Sequence, residues 1–337
     1  MNSFSNNVTI GRLVMMIGVV AIHCNVIHMQ GYDGPCALTG CIDFFTSKIT
    51  SIAVPWFFFI SAYLTGRLHK EIDLSSYKSI IKRRVRSILL PFILWNTIGY
   101  LIREGIYISP LQNFTHVGHN FSSFTDFLYD IYIAPEVEPL WFLRNLFLFS
   151  IFYPGFQKIT EFNSIAALIL FWIIEEYTPA VGTLYFGLGF IAAKHFSPER
   201  IDSMLPKFAK FLPILLILMF ISYRYFEQLD IINEILVFLG MASIWGCSCL
   251  MIRPTGRIAR PDIIFFIYSY HGIISTYVRK SLNIIFDFSG YSWLILYLAS
   301  IILVITICYG SAMILKSVSP STYAILTGAR TKKLSAL

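Results

Sequence analysis

The 337-residue chain is 56% hydrophobic and only 13% charged, with a formal net charge of +7. An ordinary soluble domain is about one quarter charged, and no polar stretch here is long enough to fold alone, so the composition excludes a soluble globular protein. Such a basic balance in a soluble chain would point to nucleic acid. Here the basic residues gather in alternate loops, as the positive-inside rule requires of a membrane protein, and no nucleic-acid partner is expected. The fold class predicted is all-α integral membrane, with residues 1–337 as one domain.

Spanning the hydrocarbon core takes about 20 apolar residues. That window predicts ten spans, at 10–29, 48–66, 87–102, 139–155, 163–177, 178–194, 208–226, 231–252, 262–279 and 291–315. With the N-terminus inside, 19 of the 26 Lys and Arg fall on inner loops and the tail, against five on the outer side. Both termini are therefore expected to be cytoplasmic, in the cell membrane. No internal repeat stands out. The oligomeric state is not legible.

The first span carries Leu13 to Ile22, which resembles the apolar core of a signal peptide. No small-x-small cleavage site follows, and Ala21-Ile22-His23-Cys24 is a poor lipoprotein box, so a retained helix is expected. Within it, Arg12 and His23 are 11 residues apart. At about 100° and 1.5 Å per residue they share one face, about 16 Å apart along the axis. Ionisable residues inside a membrane are costly and are read first as functional, although a snorkelling Arg and a packing His would give the same spacing. Cys36 and Cys41 follow in a loop expected outside, where a disulfide between them is open.

Lys82, Arg83, Arg84 and Arg86 lead into the third span. A run of this kind anchors lipid headgroups, but guanidinium forks also suit phosphates, and Arg84 and Arg86 are near enough to the span to turn inward. The outer loop 103–138 is polar, with Asp126, Asp130, Glu136 and Glu138. His116 and His119 within it have metal-compatible spacing but no clear further ligands, so no metal is expected. The fourth span opens with Pro139, Leu140, Trp141, Phe142, Leu143 and Arg144. Arg144 either pairs with Glu138 or Glu175 or lines an outer cavity with Trp141 and Glu138. In the ninth span His271 lies nine residues past Asp262, about 14 Å deep. Its depth is close to that of His23, which invites a shared site with Tyr268 nearby.

Taken together these segments resemble the membrane acyltransferase-3 family. The resemblance rests on Arg12 and His23, on Phe58-Phe59-Ile60-Ser61-Ala62-Tyr63, and on Arg84-Val85-Arg86 followed by Pro91. It continues through Leu140-Trp141-Phe142-Leu143, Tyr268-Ser269-Tyr270-His271, and the stretch from Ser319-Pro320 to Thr327-Gly328. Ala62 stands where the family usually has Gly. Members often carry an appended extracytoplasmic SGNH-type domain, and none is expected here. The resemblance implies O-acylation of an extracytoplasmic or lipid-linked saccharide by a cytosolic acyl-CoA, most often acetyl-CoA, without a metal. Catalytic roles then fall to His23, His271 and Tyr268. Donor phosphates fall to Arg12, Arg84 and Arg86, and the saccharide to Arg144, Trp141 and Glu138. His23 would act as general base in direct transfer, or as a covalent acyl carrier if donor and acceptor never meet. A transporter or flippase for an anionic or glycan substrate is the rival reading, and a sensor or scaffold a more distant one.

Overall fold

The computed structural model describes residues 3–69, 74–107, 109, 123–133, 135, 137–226, 229–252 and 260–328, and these residues contain helices and no strand. Helix α1 is Ser3–His23. Helix α2, Cys36–Phe44, runs through a π turn at Phe45–Ile49 and a 3₁₀ turn into α3, Ala53–Leu68. Helix α4, Leu74–Arg84, passes through a second π turn at Val85–Leu89 into α5, Leu90–Tyr107. After the short α6, Phe124–Tyr132, come α7, Trp141–Phe162, α8, Ser164–Tyr177, and α9, Thr183–His195. The rest of the bundle is α10, Pro198–Ala209, α11, Leu212–Tyr225, α12, Asp230–Met251, α13, Pro261–Phe286, α14, Trp293–Val318, and α15, Pro320–Leu326.

Five helical stretches are long and apolar enough to cross a membrane: α1, Cys36–Leu68, Leu74–Tyr107, α12 and Gly290–Val318. The pair α10–α11 makes a sixth if its 69° bend is taken as one broken span. This is a multi-pass membrane protein. Helices α7 and α13 have 22 and 26 residues and fall outside that set on composition rather than length. Helix α13 carries Tyr268, His271 and Arg279. Helices α8 and α9 have 14 and 13 residues, about 20 Å each at 1.5 Å per residue, short of the roughly 30 Å core.

Local chemistry explains that tight pair. The Asn163 side chain accepts from the backbone N–H groups of Ile165 and Ala166 and starts α8. Gly182, the N-cap of α9, sits at φ +98, a left-handed conformation that glycine adopts without a Cβ penalty. The Glu175 carboxylate accepts from the N–H groups of Gly182 and Leu184 at 2.8 to 3.0 Å, so this acid caps α9.

Two glycine contacts bring the helices close. A Cβ added to Gly189 on α9 would sit 2.4 Å from the Phe59 carbonyl and 2.6 Å from the Ala62 Cβ on α3. The extra methyl of Ala62 is thus accommodated by a glycine opposite it. Gly11 on α1 likewise leaves room for Trp56 and Trp245, at 2.4 and 2.9 Å from its absent Cβ. Trp245 Nε1 donates to the Asn7 carbonyl at 2.7 Å. These contacts fix the rotation of α1, and with it the direction of Arg12.

Two expectations need correction. Residues 194–210, expected as a loop, form the capped helix α10, whose N-cap Ser197 accepts from the Arg200 N–H. Cys36 and Cys41 both lie on α2 as free thiols. Five residues of α-helix separate their Cα atoms by about 8.6 Å, beyond the reach of a disulfide at about 6.8 Å.

Candidate active site

Arg12 and Arg84 line one cavity of about 330 Å3, with Phe57, Ser61, Phe142 and Tyr268 among its other walls. Arg84 is the last residue of α4 before the π turn at Val85–Leu89, and residues two apart on a helix face away from each other. Arg84 is half-buried and donates to the Thr65 hydroxyl at 2.8 Å, while Arg86, two residues on, is exposed and away from the cavity. Of the two arginines, Arg84 alone lines the cavity. The Nε of Arg84 is buried without a partner, and Arg12 makes no hydrogen bond or ion pair among the described residues. Among the described residues no Asp or Glu lines the cavity, so two cations face one space without a counter-charge there.

The same end of the bundle is strongly basic. His69, just beyond α3, receives Arg83 Nη2 at 3.2 Å, and burial together with the charges of Arg83 and Arg84 holds it below the ordinary imidazole range.

The cavity ends on Tyr268, whose ring centroid is 6.0 Å from that of His271. His271 is fully buried, and its ring lies 5.2 Å from that of His23. His271 Nδ1 is 3.2 Å from the Ile267 carbonyl, one turn back on its own helix. That fixes the ring and leaves Nε2 buried without a partner. The Tyr268 hydroxyl faces neither imidazole; it donates to the Pro139 carbonyl. Its ring is the wall between the cavity and the histidines.

Of the expected saccharide-binding residues, the structure brings one to the histidines. Glu138 is exposed, and its Oε2 lies 3.7 Å from His23 Nδ1. Trp141 packs near Phe58, with ring centroids 6.3 Å apart. Arg144 donates to the Ile133 carbonyl and, at 3.1 Å, to Asn145 Oδ1. Among the described residues it pairs with neither Glu138 nor Glu175. His116 and His119 lie outside the described residues.

Sequence reasoning missed Arg279 and Asn96. Arg279 lies two turns beyond His271, donates to the Asn25 carbonyl just past the end of α1, and its charge acts on His23, Cys24 and Glu138. The signal was its spacing of eight from His271, the same helical face. Asn96 is fully buried on α5, and its Oδ1 accepts the Val137 N–H at 3.1 Å. Nothing in its local sequence marked it.

A second buried polar node ties the C-terminal segment down. Asp262 accepts from Arg260 at 2.7 Å, Lys316 at 3.0 Å and the Tyr323 hydroxyl at 3.2 Å. Trp95 Nε1 donates to the Leu326 carbonyl at 3.1 Å. The Ser319-to-Gly328 stretch is therefore a structural clasp.

The family model Acyl_transf_3, described as an acyltransferase domain, matches residues 6–313. The chain belongs to the acyltransferase-3 family. It is an acyltransferase, and the match runs from before Arg12 to beyond His271 and Arg279. No curated protein and no solved structure matches it.

Proposed function

We propose that this acyltransferase is one membrane domain with both termini cytoplasmic, and that it moves an acetyl group from cytosolic acetyl-CoA to a hydroxyl of an extracytoplasmic or lipid-linked saccharide. The observation that carries the reading is the acid-free cavity shared by Arg12 and Arg84. A phosphorylated donor is the ligand for which two desolvated guanidinium groups are suited.

Arg12 and Arg84 bind phosphate oxygens of the donor, and Thr65 holds Arg84 in place. The pantetheine arm runs along the apolar walls toward Tyr268, whose ring must swing aside for the thioester to reach the histidines. His23 takes the proton of the saccharide hydroxyl as its oxygen attacks the thioester carbonyl. As the C–O bond forms the C–S bond breaks, and the imidazolium returns its proton to the departing thiolate. His271 lies against the His23 ring and helps fix its orientation. Direct transfer needs no covalent acyl-enzyme and is the simpler course. Arg86 is left to lipid headgroups, and Arg144 holds the backbone around Ile133 rather than a sugar.

The test follows acetyl-CoA labelled in its acyl group, supplied to membranes holding the protein. Label is expected in an alkali-labile ester on membrane saccharide. Label that remains on CoA while saccharide moves across the membrane would make the protein a flippase and overturn the reading.

A further inference from the structure

Four residues, Val137 to Leu140, connect the polar loop to α7 and lie directly on α5 and α13 beside the histidines. They are clamped from several sides. Asn96 Oδ1 accepts the Val137 N–H at 3.1 Å, and the Asn96 amide donates back to the Phe92 carbonyl at 3.0 Å. Tyr268 donates to the Pro139 carbonyl. Glycines provide the floor on both helices. A Cβ on Gly99 of α5 would meet Val137 at 2.4 Å, and one on Gly272 of α13 would meet Pro139 at 2.7 Å and Val137 at 2.9 Å. Val137, Pro139 and Leu140 are buried, while Glu138 between them is exposed. A short strap held this firmly, with one charged side chain, places that side chain deliberately in register. The register puts Glu138 Oε2 3.7 Å from His23 Nδ1.

Resting on the acyl-transfer reading above, we propose that Glu138 is the positioning residue of His23, and that the strap exists to hold it there. An imidazole serves as base through one nitrogen only, and which one is free is set by what the other faces. With Nδ1 turned to a carboxylate, the proton stays on Nδ1 and the Nε2 lone pair is left for the acceptor hydroxyl. When Nε2 takes that proton, the carboxylate stabilises the imidazolium until the proton passes to the thiolate. A saccharide seated over the exposed carboxylate excludes water and strengthens the pair at the moment of transfer. Glu138 is therefore not primarily a sugar ligand.

The other polar groups around His23 are His271 and Arg279 from α13, Cys24 beside it, and Tyr297 of α14, whose hydroxyl donates to the Ala21 carbonyl. Of these, Arg279 also interacts with Glu138, so the pH dependence of Glu138→Gln is read against Glu138→Asp, which keeps the charge. The experiment compares wild type, Glu138→Gln and Glu138→Asp in purified, reconstituted form, measuring acetyl transfer to a saccharide acceptor across pH. Removing the carboxylate disfavours the imidazolium, so the acidic limb of kcat in Glu138→Gln is expected to move to lower pH. Its plateau is expected to fall about 10- to 100-fold, the usual size of losing a group that orients a histidine, with Glu138→Asp partly restoring both. Gly99→Ala, which pushes Val137 and hence the strap aside, is expected to lower kcat in the same direction with donor KM unchanged. An acidic limb unmoved in Glu138→Gln, with only the acceptor KM raised, would show a saccharide ligand and overturn the proposal. Wild type that transfers no acetyl group would instead remove the acyl-transfer reading, and this inference with it.

Discussion

Helix α13 carries two buried polar groups nine residues apart, and they are treated in opposite ways. Asp262 is nearly fully buried, and its carboxylate accepts from two cations and a tyrosine hydroxyl. His271 is as deeply buried, yet one ring nitrogen has no partner and its neighbour is another imidazole. Leaving a buried polar atom unpaired costs about 1–3 kcal/mol, a cost that the Asp262 node avoids and the His271 ring carries. Satisfied polarity locks the C-terminal segment onto the bundle.

That contrast is broken most directly at the histidines. His23→Ala and His271→Ala are each expected to lower acyl transfer by at least about 10²-fold, the lower range for loss of a general base or its close partner, with folded protein in the membrane unchanged. Transfer within a few-fold of wild type would make both residues packing groups. The opposite pattern is expected at the clasp. Asp262→Ala leaves Arg260 and Lys316 without their acceptor, a defect smaller than the roughly 3–5 kcal/mol of a fully buried pair because both cations reach solvent. It should appear as a fall in Tm in detergent, with activity per folded molecule retained.

The same contrast can be sharpened within the basic run. Arg84 faces the acid-free cavity and Arg86 faces outward. Losing a charge-assisted hydrogen bond to phosphate costs about 1.5–3 kcal/mol, so Arg84→Ala is expected to raise the acyl-CoA KM by about 10- to 100-fold, and Arg86→Ala to leave it within about twofold. Equal effects would erase the distinction. The smallest effect expected is at Asp33, an exposed acid that accepts from Trp293 Nε1 at 2.6 Å and the Gly290 N–H at 2.8 Å, bonds that hold its carboxyl below the ordinary carboxylate range. A depressed carboxyl adds stability above its unfolded pKa and loses it as pH falls through the folded value. Asp33→Asn is therefore expected to lower Tm slightly at neutral pH, with the difference from wild type closing in acid.

Much of this was legible in the sequence. Periodicity placed Arg12 and His23 on one face, and counting depth from Asp262 put His271 level with His23; the rings are neighbours. Arg84 and Arg86 were read as equivalent because both lie next to the third span, although residues two apart on a helix point about 200° away from each other. Of the two acids offered to Arg144, Glu175 is consumed by the backbone N–H groups of Gly182 and Leu184. The strap was invisible for a different reason. It is held by Asn96, Gly99 and Gly272, single residues far apart in the chain whose relation exists only once α5 and α13 pack. Hydropathy also counted α8 and α9 as full spans, although the turn between them leaves each too short to cross alone.

The central claim is that the cavity of Arg12 and Arg84 delivers the donor to the histidine pair. Its most direct test is a structure of the reconstituted protein with a thioether analogue of acetyl-CoA that cannot release its acyl group. The account predicts phosphate oxygens within hydrogen-bond distance of both arginines, and the thioether sulfur beside a displaced Tyr268 ring, within reach of His23 and His271. An analogue bound elsewhere on a protein that still transfers acetyl groups, with Arg12 and Arg84 facing an empty cavity, would contradict it.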